Sequence, residues 1–338
     1  MHRIKKIVPR ALGATETFLK SAFTDSVVIL DYHRVNVIPS SASVLTVSAG
    51  NFRDQMRVLR ENFEPVRLDS LADSKVAFKP RKSKKKRVVV TFDDGYADTF
   101  LKALPSLEEF NIPATVFVTT GMIGKSGEFW WDEIEELLME LIPTERLAHI
   151  QSLIGDPLGE RFTKKVVSAD LRASLYLELT ALMKPSEKNG IASIMAKLRT
   201  LSGTKPLARD THRSMTMAEL HKLAKNPLIE IGAHTVSHPC LASLDRGRQL
   251  KELGDSKRFL ETNLGLKIQS VAYPFGGYDD VNDATLSVNR ELGFTLGVTT
   301  NTGVVAFMDH KHKLPRMFVK NWSGDVFARQ LKKFFWIA

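Results

Sequence analysis

Apolar residues fall along the chain in short dense runs, separated by longer stretches with helical spacing. Val27-Val28-Ile29-Leu30 reads as a buried strand that ends at Asp31-Tyr32-His33-Arg34. From Asn51 to Asn62, Phe52, Met56 and Leu59 recur at the spacing of one helix face. Val88-Val89-Val90-Thr91-Phe92 is the next strand and stops at Asp93-Asp94-Gly95. A helix is predicted from about Tyr96 to Phe110, then a strand from Ala114 to Val118 after Pro113.

From Trp130 to about Asn226 strand-like runs nearly vanish and helix formers dominate, which predicts a helical insertion or cap. The strand rhythm resumes at Leu228 to Ala233, then Ile268 to Tyr273, Thr295 to Val298 and Leu314 to Lys320. Strands alternating with helices predict an α/β fold with a parallel sheet, and about seven strands suffice for a closed or nearly closed barrel. The pattern divides the chain into an amino-terminal helical, basic segment (1–26), a barrel domain (27–325) carrying the insertion (130–226), and an amphipathic carboxy-terminal segment (326–338). That last segment sets Leu331, Phe334, Phe335, Trp336 and Ile337 beside Lys332 and Lys333. It reads either as a helix packed on the barrel or as an interfacial anchor, and Ile4 to Phe23 invites the same two readings.

Composition narrows the class. With 43% hydrophobic and 25% charged residues in 338, neither a disordered chain nor a coiled coil is expected. Cys240 is the only cysteine and forms no internal disulfide, which fits a reducing compartment. Pro9, Thr15, Glu16 and Lys20 interrupt the apolar stretch that a signal peptide needs, and no run approaches the roughly 20 residues of a membrane span. A cytoplasmic location, at most peripheral on the inner membrane surface, is the expectation. The net charge of +10 points to anionic partners, such as an acidic glycan or a phospholipid surface. The run Lys79 to Arg87 concentrates that charge; it reads as a solvated loop or a polyanion contact. No aromatic residues interleave with it, so nucleic acid is the weakest of these partners.

Two clusters carry candidate chemistry. Asp93 and Asp94 stand at the carboxyl end of a strand, where sites form in parallel α/β folds. Adjacent strand residues point to opposite faces, but a turn at Gly95 lets both carboxylates reach one cavity; the alternative is a helix N-cap pair. His234-Thr-Val-Ser-His238 also follows a strand directly. Two imidazoles at this spacing can bind one metal, and with one carboxylate they make the three protein ligands of an open catalytic site. The other carboxylate is then free to act as a base.

Thr91-Phe92-Asp93-Asp94-Gly95, His234-Thr-Val-Ser-His238-Pro239 and Tyr273-Pro274-Phe275-Gly276, in that order, resemble the polysaccharide deacetylase family, carbohydrate esterase family four, which includes chitin and chitooligosaccharide deacetylases. The resemblance implies a distorted (β/α) barrel of fewer than eight strands. It implies that Asp93 is the general base and that Asp94, His234 and His238 hold the metal. It also gives the Phe275 backbone N–H to the developing oxyanion. Zn²⁺ is the expected ion, with Co²⁺ or Ni²⁺ as alternatives for such ligands.

The chain departs from the family in two places. An arginine that orients the base commonly stands where this chain has Ala272; Arg316 is the best replacement, with plain core or surface pairing as the alternative. The late histidine motif that supplies the general acid is not recognisable, and His310 and His312 are weak substitutes. His33 is the better candidate acid, because a branch of the family carries its catalytic histidine after the first strand, and Asp31 lies on the same strand face; a hydrogen-bonded structural histidine is the alternative. Trp131, with core packing as the alternative, and Tyr273 are candidates for contact with a sugar ring. The implied activity is hydrolysis of N-acetyl groups on an amino-sugar glycan, glycan precursor or lipid-linked saccharide. The alternatives are another acylated saccharide, a glycan-binding relative without catalysis, or a membrane-associated assembly protein.

Overall fold

A computed structural model describes residues 26–36, 45–73, 83, 85–147, 149–150, 169–186, 188–306 and 309–337. The amino-terminal segment and most of the Lys79 to Arg87 run lie outside the described residues.

Seven parallel strands close into a barrel. They are β1 (Val27–Tyr32), β2 (Arg87–Phe92), β3 (Ala114–Val118), β4 (Ile229–Ala233), β5 (Ser270–Ala272), β6 (Leu296–Thr302) and β7 (Leu314–Phe318). Each pairs with the next, and β1 closes the ring by pairing with both β2 and β7. The register shifts between Leu314 and Arg316 where β7 meets β6, which is the main irregularity of the ring. A two-residue strand, Glu64–Pro65, adds to the start of β2.

Strand alternation sorts the side chains into two cores. Val27, Ile29, Val89, Phe117, Ala272, Val298 and Leu314 form one buried cluster, which fills the lumen. Their neighbours Val28, Leu30, Val88, Val90, Val116 and Val271 belong to a second cluster outside the ring. The outer cluster is covered by α1 (Ala49–Asn62), α2 (Leu104–Glu109), and helices further along the chain. Pro105 enters α2 at its first turn, and a π-helical turn at Thr99–Ala103 precedes it, so the run expected from Tyr96 is not one regular helix.

The insertion contains α3 (Trp130–Glu136), α4 (Ala169–Met183) and α5 (Lys188–Ser202). It has its own apolar cluster, with Ile134, Leu138, Leu175, Leu179, Met195 and Leu198 buried. The next helix, α6 (Met217–Ala224), starts with a Thr216–Glu219 capping box and gives Leu220 and Leu223 to the barrel's outer core. The expected insertion therefore reaches too far towards Asn226; α6 belongs to the barrel. Two further helices, α7 (Arg246–Leu264) and α8 (Asp283–Glu291), complete the ring of cover. Finally α9 (Gly324–Ile337) buries Phe327, Leu331 and Phe335 in the outer core, with the Phe335 ring stacked 6.1 Å from Phe63. Among the described residues no helix is long and apolar enough to cross a membrane.

Candidate metal centre and catalytic cavity

A cavity of about 350 Å³ opens at the carboxyl ends of the strands. Asp31, His33, Asp93, Asp94, His234, His238 and Phe275 line it together with Trp131. Parity explains the gathering. Asp31 and His33 continue the inward face of β1, Asp93 that of β2 and His234 that of β4.

Asp94 should then point outward. Instead it adopts φ 71°, and Gly95 follows at φ 80°, so the chain turns and both carboxylates reach the cavity. Thr235 (φ 63°), His238 (φ 58°) and Phe275 (φ 60°) share this left-handed conformation. Strain of this kind persists where surrounding structure enforces it, commonly at functional sites. Here it brings loop residues to positions that strand geometry denies them.

Asp94 Oδ1 lies 3.4 Å from Nε2 of His234 and 3.4 Å from Nε2 of His238. His234 Nδ1 sits 2.8 Å from the Ala272 carbonyl, an arrangement that leaves Nε2 to face Asp94. His238 is packed by rings: Trp131 at 4.6 Å, Phe275 at 4.9 Å and His234 at 4.9 Å between centroids. Burial pushes the His238 imidazole down to about 3, which keeps it neutral as a metal ligand must be. Asp94 Oδ1 is buried with no hydrogen-bond partner. An unsatisfied buried carboxylate oxygen between two imidazole nitrogens fits a divalent cation of the N/O-binding type.

Asp93 is held apart from this group by Arg316. The guanidinium donates from Nη1 to Oδ1 at 2.8 Å and from Nη2 to Oδ2 at 2.6 Å. Its Nε donates to the Thr299 carbonyl at 2.9 Å, and Nη1 also reaches Thr91 Oγ1 at 3.1 Å. Burial opposes charge on Asp93, but Arg316 prevails and holds the carboxyl well below the usual range. Arg316 is thus a buried partner of Asp93 and no surface residue. The same Nη1 lies 3.0 Å from Asp31 Oδ1. There burial outweighs Arg316 and pushes Asp31 up to about 6. His33 Nδ1 stands 3.8 Å from Asp31 Oδ1, so the ring is beside the reacting end of the barrel.

Two expectations need correction or qualification. Tyr273 does not line the cavity. It stands at outward parity after β5, is fully buried, and its hydroxyl donates to the His312 carbonyl at 2.9 Å while Asn289 donates to it. Gly297 makes room, since a Cβ there would collide with the Tyr273 hydroxyl. Trp131 does line the cavity, but it is largely buried: its ring stacks on Phe129 at 4.5 Å and lies 4.6 Å from His238, and its indole N–H donates to Tyr96 Oη at 2.9 Å. His310 and His312 precede β7, where the Lys311 carbonyl accepts from Gly297 near the start of β6. They therefore lie at the amino end of the strands, away from the cavity.

Trp130 also lines the cavity, and the sequence did not nominate Leu45, Tyr176, Leu177, Thr180, Thr300 or Phe318, which complete the lining. Thr300 and Phe318 were legible by parity, two residues beyond inward Val298 and Arg316. Tyr176, Leu177 and Thr180 come from α4 in the insertion, whose placement over the barrel has no local signal.

Comparison with known proteins agrees with the strand and loop placement. The polysaccharide deacetylase family profile matches residues 80–142 and 203–297, and leaves out α4 and α5. YxkH of Bacillus subtilis (strain 168) is 23% identical over 319 residues, spanning 94% of this chain and 80% of that protein. The poly-beta-1,6-N-acetyl-D-glucosamine N-deacetylase of Staphylococcus aureus (strain MSSA476) is 22% identical over 321 residues, 91% of this chain and 83% of that one. Among solved structures, the Streptococcus pyogenes deacetylase PplD in complex with acetate superposes with a TM-score of 0.57 at 20% identity, covering 90% of this chain and 98% of that chain. The seven-stranded barrel, the ordered Asp93-Asp94, His234…His238 and Pro274-Phe275-Gly276 motifs, and these matches place the chain in the polysaccharide deacetylase family.

Proposed function

We propose that the protein is a metal-dependent hydrolase that removes N-acetyl groups from an amino-sugar glycan, glycan precursor or lipid-linked saccharide. The observation that carries this reading is the division of labour between adjacent carboxylates. Asp94 faces two imidazoles with an unsatisfied oxygen, while Asp93 is clamped by Arg316.

A divalent ion held by Asp94, His234 and His238 supplies Lewis acidity, which activates water at neutral pH. Zn²⁺ suits this donor set, and Co²⁺ or Ni²⁺ are accepted by the same atoms. Asp93, ionised and beside the ligands, accepts the proton of the attacking water. The Phe275 N–H, which donates to no backbone carbonyl among the described residues, is the donor for charge developing on the acyl oxygen. A donor aimed in this way contributes about 3 kcal/mol. His33, as imidazolium, protonates the departing amine nitrogen, and acetate leaves without a covalent enzyme intermediate. The rings of Trp131 and Tyr176 in the cavity wall offer apolar surface to a sugar ring.

The test is mass spectrometry of products from matched N-acetylated and O-acetylated saccharides, with and without chelator. Acetate release from the N-acetyl series, abolished by chelator and restored by Zn²⁺, is the expected result. His33→Gln should slow amide cleavage by about 100-fold or more and spare an activated phenyl ester, whose leaving group needs no proton. Release confined to O-acetyl substrates makes the protein an esterase. No release from either series leaves a glycan-binding relative.

A further inference from the structure

The turn that presents Phe275 is held on one side by β6, where Thr300 donates from Oγ1 to the Phe275 carbonyl at 2.5 Å and from its N–H to the Gly276 carbonyl at 3.0 Å. Phe275 and Gly276 both have positive φ (60° and 66°), and the segment leaves the ring at Ala272 and re-enters regular structure only at α8. Its internal brace is Asp280, which is 3% exposed. The Asp280 carboxylate accepts from the Gly277 N–H at 2.8 Å, and a Cβ on Gly277 would sit 2.9 Å from Oδ2. Cys240 Sγ, two residues after His238, donates to Oδ1 at 3.5 Å, and the Asp280 carbonyl accepts from the Ala242 N–H at 3.1 Å. One residue thus ties the Phe275 turn to the loop that carries His238.

The charge on this brace is met from the insertion. Lys184, the residue after α4, places Nζ 2.6 Å from Oδ1 and 2.8 Å from Oδ2 of Asp280. The same ammonium lies 5.2 Å from the centroid of the Phe275 ring, within reach of a cation–π contact. Meanwhile Tyr176, Leu177 and Thr180 on α4 form the cavity wall. The helix that walls the cavity is therefore fastened at its end to the turn that supplies the proposed oxyanion donor. The lysine of this pair is partly exposed and the carboxylate buried, so its Coulomb energy alone is modest. The pair links two elements that the separate apolar cores do not join, since α4 packs in the insertion's own cluster.

We propose that Lys184 and Asp280 form a latch in which Asp280 is the positioning residue for the Phe275 turn, so that the seating of the insertion over the cavity is a condition for fast turnover. The proposal rests on the reading of Phe275 as the oxyanion donor. Misplacing a catalytic group by about 1 Å costs up to about 100-fold in rate, so loosening the turn should act on kcat.

The experiment compares Lys184→Met, Lys184→Arg and Asp280→Asn with the native enzyme on an N-acetylated oligosaccharide, and records kcat, KM, bound metal and thermal midpoint. Lys184 is partly exposed, so its variants should fold even where Asp280→Asn does not. Lys184→Met should lower kcat by about 10-fold to 100-fold with bound metal unchanged, and Lys184→Arg should recover most of the loss. Full kcat in Lys184→Met overturns the latch while leaving the deacetylase reading intact. A loss of activity that tracks loss of metal also overturns it, because the brace would then serve the His238 loop. Native enzyme inactive on every N-acetylated substrate defeats the functional reading and the latch together.

Discussion

A guanidinium wholly buried between two carboxylates sets the charge state of the reacting end of the barrel. Arg316 holds Asp93 through two parallel hydrogen bonds and touches Asp31 with the same Nη1. Burial acts on both acids, yet it loses to the fork at Asp93 and wins at Asp31. Environments that push two acids apart are how one site assigns different roles to identical side chains. The fork geometry matters here as much as the charge. Arg316→Lys should fold but lose about 100-fold in kcat, because a single ammonium cannot fix both oxygens of Asp93. Arg316→Met should cost about 3–5 kcal/mol in urea denaturation, since it strands buried carboxylate charge. Native turnover in the lysine variant would remove Arg316 from the catalytic machinery. The sequence named Arg316 but left its role open, because a partner across the ring depends on closure, which local pattern does not contain.

At the level of elements, period-two alternation did most of the positioning and was readable from the start. Asp31, Asp93, His234 and Arg316 all lie at inward parity on their strands, so their convergence follows once the ring closes. The same rule excludes Tyr273, which was nominated from its motif although parity turns it outward. What the rule cannot reach are the loop residues with positive φ and the wall contributed by α4, both of which depend on contacts distant in sequence. The closed ring has its own steric requirement. A Cβ at Gly232 on β4 would collide with the Phe117 ring and come within 2.9 Å of Ser270 Oγ. Phe117 fills the lumen at that level and is buried in the inner core. Gly232→Ala should therefore destabilise by about 1–3 kcal/mol through overpacking. It should also lower bound metal per folded protein, because His234 is two residues further along the strand. Phe117→Leu in the same chain should restore part of the stability. A Gly232→Ala protein with native denaturation and metal content would show that the lumen has slack that the packing does not suggest.

Across the whole molecule, the barrel, the insertion and the loop before α6 meet in a buried polar junction beside the proposed metal ligands. Arg34 lies 3.4 Å from Asp132 Oδ1 and 3.3 Å from Asp98 Oδ2, and stands over the Tyr96 ring at 4.8 Å. Tyr96 Oη donates to Asp132 at 2.6 Å and accepts from Trp131, whose ring packs on His238. Asp132 starts the insertion and Asp98 follows β2, so one arginine joins elements from both parts of the fold. Both acids lean on Arg34, and burial pushes Asp132 up to about 7 and Asp98 up to about 6. The consequence is a pH dependence of a definite sign. An acid whose folded pKa is raised binds a proton in the folded state that the unfolded chain has already lost. Its contribution to stability is complete below about 4, declines as pH rises, and is gone above about 7 for Asp132. Each tenfold gain in proton affinity on folding is worth about 1.4 kcal/mol, so the Asp132 contribution is on the order of a few kcal/mol. Replacing Asp132 by asparagine keeps a polar group of the same shape and removes the titration. The difference in thermal midpoint between the native protein and Asp132→Asn should therefore fall by several degrees between about pH 4.5 and about pH 7.5, whatever its absolute level. Metal-loaded protein should be used throughout, so that ligand titration does not enter the slope. A difference that stays flat across that range would mean that Asp132 is ionised in the fold and that Arg34 outweighs its burial.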